Sequence, residues 1–205
     1  MAPPPSDPTE ASHRPGPDTQ AGHKIIVALS GGIACHKSAT LVSRLSQDGA
    51  TVRVLMTEAA TRFIAPLTLQ CLSGLPVLSS IWQSDDHPES QHIGVARWCD
   101  LMIIAPASAD IIARIAHGLT GDIVSLVTCS LPRGPRPTPV LLAPSMNAQM
   151  WDSPLTQRNL ATLKDIMGFS VVGPEEGWQA CRTTGPGRMS EPEAIRAAAL
   201  DLLNI

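Results

Sequence analysis

Hydrophobic residues in this chain arrive in short blocks separated by glycine, proline and small polar residues. Lys24–Leu29 (KIIVAL) is a β-branched run that stops at Ser30-Gly31-Gly32, the profile of a strand buried on both faces that feeds a loop. Residues 34–47 place Ala34, Leu41, Val42 and Leu45 at helical spacing, and Asp48-Gly49 closes that helix. Thr51–Met56 predicts a second strand and residues 100–105 a third. Residues 108–117 predict a helix capped by Ser108 and stopped by Gly118. Residues 140–143 and 170–172 predict two more strands, and residues 191–203 a closing helix with Pro192 in its first turn. Strands, small-residue loops and helices in alternation predict an α/β fold. Its form is a doubly wound parallel sheet, a three-layer α/β/α arrangement of the Rossmann-like kind.

Residues 1–22 break this pattern. They carry six prolines and almost no large apolar side chain, too little to offset the entropy of ordering, so they are expected to be a disordered tail ahead of a single domain over 23–205. The stretch 131–139 (LPRGPRPTP) predicts a surface loop.

Composition narrows the function classes. Of 205 residues, 43% are apolar and 16% charged, enough for a sizeable core. Fifteen Lys plus Arg stand against eighteen Asp plus Glu, a net charge of -3, where a nucleic-acid binder tracking phosphates would carry a basic excess. With no Tyr, two Phe and four Trp, a base-stacking platform is short of aromatics as well. No apolar run is long enough for a transmembrane helix, and the opening residues lack the features of a secretory signal. The five cysteines are widely spaced with no C-x-x-C; reduced thiols in the cytoplasm are expected, with no disulfide scaffold and no metal site.

The chemistry is expected beyond the carboxyl ends of the strands, where such sheets bind ligands. Each strand there ends in small or polar residues: Ser30-Gly31-Gly32, Thr57-Glu58, Pro106-Ala107-Ser108 and Pro144-Ser145-Met146-Asn147. The first loop is not a dinucleotide fingerprint, and no phosphate loop of the G-x-x-x-x-G-K-[ST] type is present. Amides at Gly31, Gly32 and Ile33 suit one phosphate at a helix N-terminus; a tight strand-to-helix turn explains the same residues equally well. Residues 144–151 (PSMNAQMW) crowd two Met, an Asn and a Trp after a strand. Core packing accounts for Met and Trp but less well for Asn147, whose amide needs partners.

Taken together these motifs resemble the homo-oligomeric flavin-containing cysteine decarboxylases over residues 24–203. Ser30-Gly31-Gly32-Ile33-Ala34 with Lys37 is similar to the family's first flavin loop, and His92-Ile93 ahead of Asp100-Leu101 to its active-site histidine segment. Pro106-Ala107-Ser108-Ala109-Asp110 resembles its PASANT loop, with Asp110 and Ile111 in place of Asn-Thr. Pro144-Ser145-Met146-Asn147-x-x-Met150-Trp151 matches PxMNxxMW in full. A fifth segment, Gln179-Ala180-Cys181-Arg182-Thr183-Thr184-Gly185-Pro186-Gly187-Arg188-Met189, resembles the substrate flap of the branch that acts on 4'-phosphopantothenoylcysteine.

The resemblance implies an FMN-dependent enzyme that decarboxylates 4'-phosphopantothenoylcysteine to 4'-phosphopantetheine in coenzyme A biosynthesis. A cysteine carboxylate lacks an electron sink; oxidation of the thiol by flavin supplies one, and the protein supplies position and field. His92 would assist thiol oxidation near neutral pH. Asn147 would orient the carboxylate without the ground-state stabilisation an Arg would give. Cys181, at an ordinary thiol pKa of about 8.5, would return a proton to the ene-thiol, with Ala180 and Met189 against the substrate. The other four cysteines are expected to be buried and structural. FMN contacts are implied at Gly31, Gly32, Ile33, Thr57, Phe63, Ser108, Ala109, Asp110 and Ile111, and a homo-oligomer, trimer or dodecamer, is implied as well. Two alternatives remain open: oxidative decarboxylation of a peptide C-terminal cysteine, and a non-catalytic flavin-binding regulatory subunit.

Overall fold

The computed structural model describes residues 22–82 and 91–203. The expected tail lies outside these, apart from Gly22, whose N–H is bonded to Gly49 O. In chain order the elements are β1 (Lys24–Leu29), α1 (Cys35–Gln47), β2 (Thr51–Met56), α2 (Glu58–Thr61), α3 (Pro66–Ser73), α4 (Gln91–Trp98), β3 (Leu101–Ala107) and α5 (Ala109–Ala116). They continue as α6 (Ile123–Cys129), β4 (Val140–Pro144), α7 (Ala148–Trp151), α8 (Pro154–Asp165), β5 (Ser170–Val171), β6 (Glu175–Trp178), β7 (Thr184–Arg188) and α9 (Pro192–Leu203). Five parallel strands form one sheet in the order β2-β1-β3-β4-β5.

The continuous apolar runs of the central strands are split between two layers by the alternation of strand side chains. Ile25, Val27 and Leu29 of β1 pack with Leu41, Val42 and Leu45 of α1, Leu69 of α3 and Ile195 and Ala199 of α9. Ile26 and Ala28 face the other way, toward Val95 of α4, Ile111, Ile112 and Ile115 of α5, Ile123 and Val127 of α6 and Leu160 and Leu163 of α8. Each face of the sheet therefore has its own helical layer. The doubly wound parallel sheet expected from the sequence is the observed fold.

At the functional end the sheet is irregular. The β3–β4 register runs Ile104 opposite Leu142 and then Ala107 opposite Pro144, so β3 spends one extra residue there. Two serines bond the carbonyls inside this step. Ser38 Oγ of α1 donates to Ala105 O at 2.7 Å, and Ser30 donates to Pro106 O through its Oγ at 2.7 Å and its N–H at 3.2 Å. Ser108 N–H then donates to Ser30 Oγ at 2.8 Å. Two buried serines thus fasten the loops that follow β1 and β3 to one another.

The chain between β5 and α9 folds into an antiparallel hairpin, β6 with β7. It lies on the β4–α7 connection, where Met146 N–H donates to Gly187 O at 2.9 Å. Gly187 sits at φ +121°, and a Cβ there would overlap Met146 O.

Four cysteines outside the hairpin were expected to be buried. Cys35 and Cys99 are, and burial pushes their thiols up to about 11 and about 12. Cys129 is half-buried. Cys71 departs from the expectation: α3 buries only Leu69, which leaves Cys71 on its solvent side.

Ser38→Ala removes the buried hydrogen bond from Ser38 Oγ to Ala105 O and is expected to cost about 0.5–1.5 kcal/mol, measured by urea unfolding. Gly187→Ala is expected to leave the sheet folded and detach the hairpin, because both φ and the Met146 carbonyl oppose a side chain. Limited proteolysis is then expected to cut within residues 179–183, where the parent protein resists.

Candidate active site

The strand order reverses at β1, whose neighbours β2 and β3 leave in opposite directions. Such a switch point opens a crevice beyond the carboxyl ends of the strands. Here it measures about 1070 Å³ and is walled by the loops after β1, β2, β3 and β4 and by the tip of the β6–β7 hairpin. That volume lies at the upper end of small-ligand sites.

The floor is the turn from β1 into α1. Among the described residues, no acceptor takes the N–H groups of Gly31, Gly32 and Ile33, and all three residues line the crevice just ahead of the 13-residue α1. A Cβ on Gly31 would lie 2.6 Å from Ala59 Cβ, which is why this loop comes so close to α2. A Cβ on Gly32 would meet nothing nearer than Pro106 Cγ at 4.0 Å, leaving the backbone bare toward the crevice. This donor set fits a phosphate-bearing cofactor such as a flavin mononucleotide.

Thr57 and Ser108 stand on the wall as helix caps, Thr57 Oγ1 accepting from Ala60 N–H and Ser108 Oγ from Ile111 N–H. Ala109 and Asp110 line the wall as well. The Asp110 carboxylate accepts from Arg114 Nε at 2.8 Å, one turn along α5, so its charge is paired. Ile111 does not reach the wall. Its side chain is fully buried in the core under α5 and its N–H is committed to Ser108.

Two residues far apart in sequence meet at the hairpin tip. Asn147 caps α7, its Oδ1 accepting from Gln149 N–H at 2.8 Å, which aims its Nδ2 at Cys181 Sγ, 3.1 Å away. Cys181 Sγ also lies 3.0 Å from Thr183 Oγ1 and 3.4 Å from Gln179 Oε1. The Thr183 hydroxyl, then the Asn147 amide, hold the Cys181 thiol below its ordinary range by hydrogen bonding to the thiolate. Ala180 and Met189 line the same crevice, and Met189 is itself almost wholly buried.

Gln179 and Lys37 do more than their sequence context suggests. Gln179 is buried; its Nε2 donates to Gly185 O at 3.3 Å and Pro186 O at 2.5 Å, and its Oε1 accepts from Ala148 N–H at 3.2 Å. One amide therefore ties both strands of the hairpin to α7. Lys37 Nζ, on α1, donates to Met189 O at 2.7 Å and Glu191 Oε1 at 3.0 Å, anchoring the hairpin root. Arg188 donates to the same carboxylate, and these contacts, Lys37 first, hold Glu191 below its usual range. The sequence signal for both is polarity at positions that fold inward.

His92 and Phe63 stand apart from this group. His92 is the second residue of α4, half-buried and away from the crevice wall of its own chain. Phe63 follows α2, 53% exposed and also off the wall. Among the described residues, no group of three or more His, Cys, Asp or Glu is placed to hold a metal, and no helix is long and apolar enough to cross a membrane.

The chain is 46% identical over 175 residues to the coenzyme A biosynthesis bifunctional protein CoaBC of Escherichia coli, covering 85% of this chain and 42% of that protein. It thus spans less than half the length of the curated relatives it matches. A PPC decarboxylase mutant complexed with pantothenoylaminoethenethiol superposes with a TM-score of 0.77 at 28% identity, over 89% of this chain and 99% of that one. The FMN binding protein AtHal3 superposes at 0.72 with 28% identity, over 86% and 94%. The model of the family described as Flavoprotein matches residues 13–204, and the chain belongs to that family.

Proposed function

We propose that this protein decarboxylates 4'-phosphopantothenoylcysteine to 4'-phosphopantetheine, with FMN held in the crevice between β1 and β3. The observation that carries the reading is the meeting of Asn147 and Cys181, 3.1 Å apart, on the wall of a crevice of about 1070 Å³. When bound, the flavin supplies the oxidation of the substrate thiol that gives the departing carboxylate an electron sink.

The chain's own groups have separable tasks in this reading. Amides of Gly31, Gly32 and Ile33 hold a phosphate, and Thr57, Ser108, Ala109 and Asp110 form the wall beside it. The Asn147 amide orients the substrate carboxylate by hydrogen bonding alone, which leaves the charge free to depart. Ala180 and Met189 shut water out from the hairpin side. Cys181 then gives its proton to the ene-thiol carbon; a thiol held below its ordinary range is the better acid for that step.

His92 enters the reading through assembly. Since α4 carries it away from its own crevice, we place it, with the exposed Phe63, against the crevice of a neighbouring copy. There it would take the proton of the substrate thiol during oxidation. A homo-oligomer, trimer or dodecamer, is therefore part of the proposal. Free thiols on the surface suit a reducing compartment, and the cytoplasm is proposed as the location.

The test uses purified protein, 4'-phosphopantothenoylcysteine and, as competitor, a peptide ending in cysteine. Release of carbon dioxide and 4'-phosphopantetheine from the first alone is expected; turnover of the peptide alone, or of neither, overturns the reading. A fully active monomer in sedimentation would remove His92 from it. Cys181→Ser is expected to release carbon dioxide yet stall before the last proton, because a serine hydroxyl is far too weak an acid. The organic product is then expected to be lighter than 4'-phosphopantetheine by the two missing hydrogens, read by mass spectrometry.

A further inference from the structure

The thiol of Cys181 has three polar neighbours of different capacity. Asn147 Nδ2, at 3.1 Å, only donates, and Gln179 Oε1, at 3.4 Å, only accepts. Thr183 Oγ1, at 3.0 Å, does either. The turn between β6 and β7 fixes this arrangement: Arg182 N–H donates to Gln179 O at 2.9 Å and Gln179 N–H to Thr183 O at 2.8 Å. Arg182 takes a φ of 63°, and the chain folds Thr183 back over the sulfur.

A protonated thiol needs an acceptor, whereas a thiolate needs donors. Asn147 serves the second state and Gln179 the first; neither changes role. The Thr183 hydroxyl reverses role by rotating about its C–O bond, with no heavy atom moving.

We propose that Thr183 is the positioning residue for the Cys181 proton, its hydroxyl accepting from the resting thiol and donating to the thiolate after the proton has left. The inference rests on the reading of Cys181 as the acid of the last step. In that step the S–H bond breaks, its electron pair stays on sulfur, and the proton forms a C–H bond at the ene-thiol carbon. The two electrons that complete the reduction are those withdrawn earlier from the substrate thiol, and solvent returns a proton to Cys181.

The experiment follows carbamidomethylation of Cys181 by iodoacetamide in the flavin-loaded protein across the thiol titration range, read peptide by peptide. Exposed Cys71 is the internal reference. In Thr183→Val the midpoint for Cys181 is expected to rise by about one pH unit, the effect of losing one hydrogen bond to the charged form. Its rate at high pH is expected to rise about threefold, because a more basic thiolate is a better nucleophile. Thr183→Ser is expected to restore both, and Thr183→Ala to behave like Thr183→Val should the branched side chain disturb the turn. In turnover, Thr183→Val is expected to lower kcat with KM unchanged. A wild-type titration in both hydroxyl-free variants, equal changes at Cys71, or a change in KM alone overturns the proposal. The alkylation needs no substrate, so it stands or falls apart from the decarboxylase reading, which fails if the wild-type protein leaves 4'-phosphopantothenoylcysteine untouched.

Discussion

The crevice depends on a single irregularity of the sheet. Between Ile104 and Ala107, β3 spends one extra residue against β4, and the carbonyls of Ala105 and Pro106 lie within that step. An unpaired carbonyl in a dry interior is costly, and Ser38 of α1 and Ser30 of the loop after β1 each donate to one of them. The remedy has a consequence. Ser30 uses its hydroxyl to accept from Ser108 as well, so the loop that presents bare amides and the loop that opens α5 are joined at their bases. The walls of the crevice are held apart by the sheet and held in register by this hydrogen-bond chain.

The hairpin is attached to that frame at three points. At its tip, Gln179 satisfies carbonyls of its own second strand and accepts from the first amide of α7. At its root, Lys37 reaches from α1 to Met189 O and Glu191. Between them the backbone of Gly187 lies directly on Met146. A flap fixed at both ends is poor at moving as a free lid and good at holding a side chain in place. That keeps the Cys181 thiol beside Asn147, Gln179 and Thr183.

Much of this was legible in the chain. The runs of β1, β3 and β4 are short, almost wholly apolar and followed by small residues, a pattern that buried parallel strands produce and amphipathic helices do not. Ser108 and Gly118 mark α5 because a cap and a left-handed glycine leave local signals. Other elements left none of that kind. The β-branched residues of α6 (IVSLVTC) suit a strand as well as a helix, and its cap, Asp122, lies in a run of turn residues. The amphipathic α8 is marked mainly by Pro154 at its first turn. The hairpin strands are mostly glycine, proline and charged residues, and they lie on the β4–α7 connection, where Met146 N–H donates to Gly187 O.

The site divides along the same line. Asn147 and Cys181 were named from separate motifs, but their contact comes from the Asn147 cap geometry and the packing of the hairpin, which no spacing between residues 147 and 181 encodes. The role first given to Cys181 assumed an ordinary thiol; hydrogen bonds from Thr183 and Asn147 make it a stronger acid. Ile111 shows the opposite case. Its place after Ser108-Ala109-Asp110 suggests a ligand contact, yet the first turn of α5 directs it into the core beside Ile112 and Ile115. A motif marks where a loop lies, and helix periodicity decides which of its residues face out. Here that periodicity leaves Asp110 on the crevice wall with its charge met by Arg114, and gives Ile111 to the layer that holds α5 on the sheet.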